Sequence, residues 1–378
     1  MYVPTFQGLS AFDWVRPAGA PQCFPFSAPH LSFYRARNAI YHLFTALQAV
    51  IPRVTVLVPD YNSGNEVLAL RAAGAQLHFY RVNRDMQPEL ADIERLCQEH
   101  SPEVLYVIHY LGWPQPLGEL ARICRERSML MVEDCALSLL SEPGGVPLGS
   151  IGDWSIFCLY KTLPVPNGAL LVQNTMPLGG LDGLKLRQAG VASVAGRIAE
   201  LMVQRLRARV DGAGRVLQSA KRAMGRAAGA LEVGRASVGD IGFNLADVDL
   251  AMSGASSAIL RRLNFDRIRE RRKANYQRLA GALHGRARPA IAPLPDGACP
   301  LFYPILVDDK PAAARSLRAQ GVDVLEFWNY GAETEERSED VRFLRRHVMG
   351  LPIHQDLSSR QLNHVARQVG GMQTRAAA

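Results

Sequence analysis

The chain has 378 residues and a formal net charge of +8, with 48% hydrophobic and 21% charged residues. That length allows two domains, or one large domain with a smaller companion, and that balance excludes a disordered tail, a collagen and a small disulfide scaffold. Six scattered cysteines with no CxxC pair argue against a zinc centre or a disulfide framework and for a reducing compartment.

In chain order, residues 36–50 place apolar side chains at i, i+3 and i+4 and predict a helix. Short β-rich runs then alternate with amphipathic ones. Strands are expected at 54–59, 76–82, 104–110, 129–135, 154–160 and 169–174, and helices at 65–75, 89–100 and 117–128. Strands apolar on both faces and separated by helices predict a mainly parallel sheet covered by helices. Residues 249–283 read as one long helical stretch. Residues 301–307, 312–320 and 358–369 read as a smaller α/β domain. The expected division is a large α/β domain over 1–174, a basic helical segment over 175–248, and an interdomain helix with a small C-terminal domain over 249–378.

The charge is local. Residues 175–235 hold eleven Lys/Arg against four acids, a net of +7, so the rest of the chain is close to neutral. Two readings of this segment stay open. One is a solvated amphipathic helix pair packed on the body with its arginines outward. The other is a patch that meets nucleotide-sugar phosphates, anionic lipid head groups or an acidic partner. The segment contains no aromatic residue and so offers no stacking platform, which counts against nucleic acid. No run of 18 apolar residues occurs, and MYVPTFQGLSAFDW lacks the basic stretch and apolar core of a signal peptide, so a cytoplasmic protein is expected.

In open α/β sheets, functional groups gather at the carboxyl ends of the strands. Asp134 ends MLMVED, and Lys161 lies just past WSIFCLY. A strand-end aspartate is commonly a cap or turn residue and a lysine commonly a surface charge. Together in one sheet, however, they suit pyridoxal phosphate. The lysine forms the Schiff base, and the carboxylate keeps the pyridine nitrogen protonated so that the ring acts as an electron sink. No metal site is expected.

The text around them, EDCALSLL…GGVPLGSIGDWSIFCLYKTLPVPNGALLV (133–172), resembles the DegT/DnrJ/StrS family of sugar aminotransferases. ARNAIYHLFTAL (36–47) is similar to the family's phosphate turn and helix, and VPDYNSGNEVLALRAAGAQLHFYRVN (58–83) to its next strand–helix–strand. RIRERRKANYQRLAGAL (267–283) is similar to its interdomain helix, and LFYPILVDD with LPIHQDLS to its small domain.

The resemblance implies a fold-type-I pyridoxal-phosphate transferase working as a homodimer. It would pass an amino group from glutamate to a keto group of a nucleotide-linked sugar. It implies Lys161 as Schiff-base lysine and proton carrier, Asp134 as partner of the pyridine nitrogen, and Arg37 and Asn38 in the phosphate turn. Asn38 also reads as a helix N-cap. Tyr61 is the candidate ring for stacking on the cofactor, and His109 lines its pocket by the same comparison. Ser155 and Cys158 compete for a serine that touches the phosphate, and Asn244 resembles an asparagine reaching the neighbouring subunit's phosphate.

The chain also departs from the family pattern. The stretch before Lys161 is two residues shorter, and Leu137 replaces a Gln or His, with Ser138 able to supply a hydroxyl instead. Dehydratase members carry His where Lys161 stands, so transamination is the expected chemistry. Two other readings are transamination of a cyclitol or other free keto compound, and a silent cofactor-binding regulator or scaffold.

Overall fold

The computed structural model describes residues 1–19, 21, 23–175, 177–210, 242–329, 331 and 338–376. The alternating runs fold into a seven-stranded sheet of β1 (His30–Phe33), β2 (Thr55–Pro59), β3 (Gln76–Tyr80), β4 (Val104–Ile108), β5 (Leu130–Asp134), β6 (Trp154–Cys158) and β7 (Ala169–Gln173). Its order is β1-β7-β6-β5-β4-β2-β3. Strands β2 through β6 are parallel; β7 and β1 add an antiparallel edge. Strands β2, β4 and β6 are buried at every position, as both-face coverage by helices requires. Those helices include α2 (Ala36–Gln48), α3 (Asn65–Ala72), α4 (Leu90–His100) and α5 (Leu117–Glu126), preceded by the short α1 (Phe12–Val15).

Beyond β7 come α6 (Gly179–Asp182) and α7 (Val191–Arg209). The remaining basic residues of the predicted segment, Arg215, Lys221, Arg222, Arg226 and Arg235, lie outside the described residues. The expected single helix over 249–283 is instead two, α8 (Gly254–Leu260) and α9 (Phe265–Leu283). The break has a local cause. Ser253 accepts a hydrogen bond from the Ser256 N–H and Asn264 one from the Arg267 N–H, so each helix starts on its own cap.

The C-terminal part forms a four-stranded antiparallel sheet, β10-β11-β9-β8. Its strands are β8 (Arg288–Pro289), β9 (Phe302–Leu306), β10 (Leu325–Glu326) and β11 (Val348–Pro352), with α10 (Lys310–Ala319), α11 (Glu339–His347) and α12 (Ser359–Ala376). One continuous apolar core runs from the large sheet to the small one. Among the described residues, no helix is long and apolar enough to cross a membrane.

The first residues bind the small sheet's side of the molecule. The Val3 N–H donates to Gly321 O at 2.8 Å, and the Asp323 N–H to Val3 O at 2.9 Å. Nearby, His354 is buried and donates from Nε2 to Pro4 O at 3.2 Å, while its Nδ1 has no partner. Burial, opposed by Asp356 and reinforced by Arg272, pulls the His354 pKa down to about 4. An unfolded histidine titrates near 6.5, so protonation favours the unfolded chain. Stability should therefore fall by about 2–3 kcal/mol as pH drops from about 6.5 to 4. Urea unfolding of His354→Gln across that window should show a flatter slope than the parent. An equal slope in both proteins would contradict this.

Candidate active site

The carboxyl ends of β5 and β6 open into a cavity of about 320 Å³ whose walls include Arg37, Asp134, Leu137, Cys158 and Lys161. A larger groove, about 1150 Å³, lies between residues 9–16, α7 and the start of α12, with neither Asp134 nor Lys161 in its walls.

Sheet register decides which predicted residues reach the cavity. Asp134 pairs with Ile108 on β4 and Ile156 on β6. Side chains alternate along a strand, so Ile108, Asp134 and Cys158 share one face. Glu133, Ser155 and His109 share the other. His109, just past β4, donates from Nε2 to Glu133 Oε2 at 2.8 Å and accepts the Gln115 N–H at Nδ1. Its expected place in the cofactor pocket is thus corrected: both ring nitrogens are spent beneath the sheet. Glu133 also accepts from the N–H groups of Gly149, Ile151 and Gly152. Burial alone would raise its pKa, but His109 and these amides outweigh it and hold the carboxyl below its ordinary value. Ser155 is fully buried on that same face, its hydroxyl without a partner. Of the two competitors, only Cys158 lines the cavity, and burial pushes its thiol pKa up.

Asp134 has its oxygens engaged by the Tyr106 hydroxyl at 2.7 Å and the Ala136 N–H at 2.9 Å. Burial raises its pKa, against the lowering by those hydrogen bonds and by the charge of Lys161. Lys161 is half-buried in the turn after β6, and among the described residues its ammonium has no hydrogen bond or ion pair. That turn is pinned from outside the sheet. The Gln7 amide donates to Leu163 O and Tyr160 O, while Arg272 and Gln355 both donate to Thr162 O. Arg272 is itself buried, and burial lowers its pKa to about 10.

The α2 start supplies Ala36 and Arg37 to the cavity, and no side chain caps this helix end. Arg37 donates to Asn65 Oδ1 at 3.3 Å and to Gly242 O. The N-cap position belongs to Arg35. Asn38 lies one turn in and donates to Asp247 O at 2.7 Å, outside the cavity walls, which corrects the N-cap reading. Tyr61 is also outside the cavity walls. Its ring sits 5.1 Å edge-on from Trp328, one of several aromatics that line the cavity. Ser138 donates to His109 O and accepts the Gly112 N–H, so it staples loops rather than facing the cavity. Asn244 is exposed and caps its own turn by accepting the Ala246 N–H.

Among the wall residues not anticipated, three bear on the chemistry. Glu66 is buried at the start of α3 and accepts from the Ser63 N–H at 2.6 Å and the Ser63 hydroxyl at 2.5 Å. Burial first, then Asp134, raises its pKa. Trp328 holds a positive φ of 34°, a strained conformation for a bulky residue. The Lys310 ammonium donates to Phe327 O and Arg345 to Trp328 O, and Arg345 also reaches Asn62 O. Two cations thus fix the turn that carries this ring. The third is Arg197 of α7, so the arginines of the basic segment do not all point outward.

Residues 35–175 match the model of the DegT/DnrJ/EryC1/StrS aminotransferase family. The family stretch holds Asp134 and Lys161 and excludes Arg197 and Trp328. Over 132 residues, the chain is 30% identical to dTDP-4-dehydro-2,3,6-trideoxy-D-glucose 4-aminotransferase of Saccharopolyspora spinosa, covering 31% of this chain and 34% of that one. It is 28% identical over 126 residues to GDP-perosamine synthase of Escherichia coli O157:H7, covering 32% and 34%. The match thus spans about a third of the length of these curated relatives. In fold, the whole chain is similar to Helicobacter pylori PseC, an aminotransferase involved in the biosynthesis of pseudoaminic acid. That likeness has a TM-score of 0.69 at 14% identity and covers 99% of both chains. The aminotransferase TlmJ of Streptoalloteichus hindustanus gives 0.66 at 18% identity over all of both chains. These likenesses show an α/β fold of the family's type, a mainly parallel sheet with a small C-terminal sheet.

Proposed function

We propose that this chain is a pyridoxal-phosphate-dependent aminotransferase, cytoplasmic and homodimeric, moving an amino group from glutamate to a keto group on a nucleotide-linked sugar. The observation that carries the reading is one cavity holding Lys161, Asp134 and the uncapped start of α2. The relatives' names, which concern dTDP- and GDP-linked sugars, support the acceptor class.

The residues fit the cofactor. Asp134 is a buried carboxylate with, among the described residues, no arginine or lysine bonded to it, and a protonated ring nitrogen would supply the missing cation. The α2 amides and Arg37 offer donors and positive charge to a phosphate. When bound, the cofactor supplies an electron sink for the carbanion formed at the substrate's α-carbon. Lys161 Nζ, placed on a pinned turn, takes the α-proton and returns it. Leu137, Ile108 and Trp328 keep water out of the cavity where that proton moves. Asn244, exposed on the surface, is free to meet the partner subunit's site in the dimer.

The test is an absorbance spectrum between 300 and 500 nm, before and after glutamate. A visible band that bleaches with glutamate is the expected result. A protein that shows no band even with added pyridoxal phosphate would overturn the reading.

A further inference from the structure

Among the described residues three cations line the cavity: Arg37, Lys161 and Arg197. In the proposed reaction the first two have tasks, at the cofactor phosphate and at the reacting carbon. Arg197 has none. It comes from α7, beyond the matched stretch that ends at residue 175.

Its present bonding is slight. Arg197 Nη1 pairs with Glu200 Oε2 at 2.9 Å, one turn along the same helix, with the two side chains 25% and 44% exposed. A half-exposed pair of this kind contributes little and exchanges readily. Among the described residues its buried Nε–H has no acceptor, and a donor left unmet in this way favours any ligand that meets it. A guanidinium with one edge unmet and the other held by an exchangeable partner suits a two-oxygen anion, which accepts two parallel hydrogen bonds. Such an anion would displace Glu200 from Arg197.

We propose that Arg197 is a specificity-determining residue that grips an anionic oxygen group of the substrate inside this cavity. The group is the carboxylate of the amino donor or the phosphate of the nucleotide-linked acceptor. The inference rests on the aminotransferase reading for its substrates, and on the cavity geometry for its site.

The experiment uses the full chain loaded with pyridoxal phosphate, as parent, Arg197→Ala, Arg197→Lys and Glu200→Gln. Three quantities are read: cofactor affinity by absorbance titration, the glutamate concentration dependence of bleaching, and dTDP binding by calorimetry. If the donor carboxylate is the ligand, Arg197→Ala raises the half-saturating glutamate concentration roughly 10- to 100-fold, leaving the maximal rate and cofactor affinity within about threefold. If the acceptor phosphate is the ligand, glutamate saturation is unchanged and dTDP binding weakens by a similar factor. Arg197→Lys should recover part of either loss, since it restores charge without the fork. Glu200→Gln should tighten the same ligand, an effect that a merely structural arginine would not give. Unchanged glutamate and dTDP responses in Arg197→Ala would overturn the proposal. A parent that never bleaches would sink the aminotransferase reading instead, and the dTDP arm would then decide Arg197 by itself.

Discussion

A Lys161→Ala protein is expected to fold like its parent and to lose glutamate-dependent bleaching by more than about 10⁴-fold. Folding should survive because Lys161 is half-buried and has no hydrogen bond or ion pair among the described residues. The turn that carries it is held through its backbone carbonyls by Gln7, Arg272 and Gln355. Activity should collapse because, among the described residues, no other amine lines the cavity. Alanine therefore removes both the covalent anchor and the proton carrier, and general acid–base catalysis alone is worth about 10²–10⁴-fold. Bound cofactor should also become removable by gel filtration. A variant that bleached at the parent's rate would transfer the role to another residue.

Asp134→Asn separates charge from shape. Asparagine can keep the hydrogen bond from the Ala136 N–H but carries no charge to hold a proton on the ring nitrogen. The expected loss in bleaching rate is about 10²–10³-fold, the usual scale for removing one preorganised charge contact. Stability should move the other way. Burial raises the Asp134 pKa above its ordinary value, so the cofactor-free folded state holds the proton to higher pH than the unfolded chain does. Folding is then penalised as pH rises through that window, and asparagine removes the penalty. Cofactor affinity of the parent should weaken as pH falls through the raised pKa, while the asparagine variant stays weak and nearly flat with pH. Titrations with pyridoxal phosphate at stepped pH would check this. A parent whose affinity ignored pH would remove Asp134 from the ring nitrogen.

Asp134 and Lys161 were legible in the sequence because a strand-end residue after an apolar run has few places to go. His109 and Ser155 were misjudged for an equally simple reason: the side of a pleat depends on register against neighbours, and one chain's text does not display it. The pairing of Ile108 with Asp134 puts His109 on the far face. The break at Asn264 left a cue in the sequence, an asparagine three residues ahead of an arginine whose N–H it accepts. Ser63 and Glu66 likewise stand at the spacing of a helix cap, which would have turned Glu66 toward the start of α3. Trp328 and Arg197 left no such mark. They reach the cavity from a small-sheet turn and from a helix beyond β7, and only tertiary packing puts them there.

The three residues that pin the Lys161 turn have a bearing on what can be moved between proteins. Gln7, Arg272 and Gln355 all lie outside residues 35–175, in the first ten residues, in α9 and just after β11. A fragment cut to the family stretch would carry the reactive amine and its aspartate in sequence, yet release the carbonyls of Tyr160, Thr162 and Leu163 from their donors. The amine would then swing with its loop. In this protein, transplanting the chemistry means transplanting its distant braces as well.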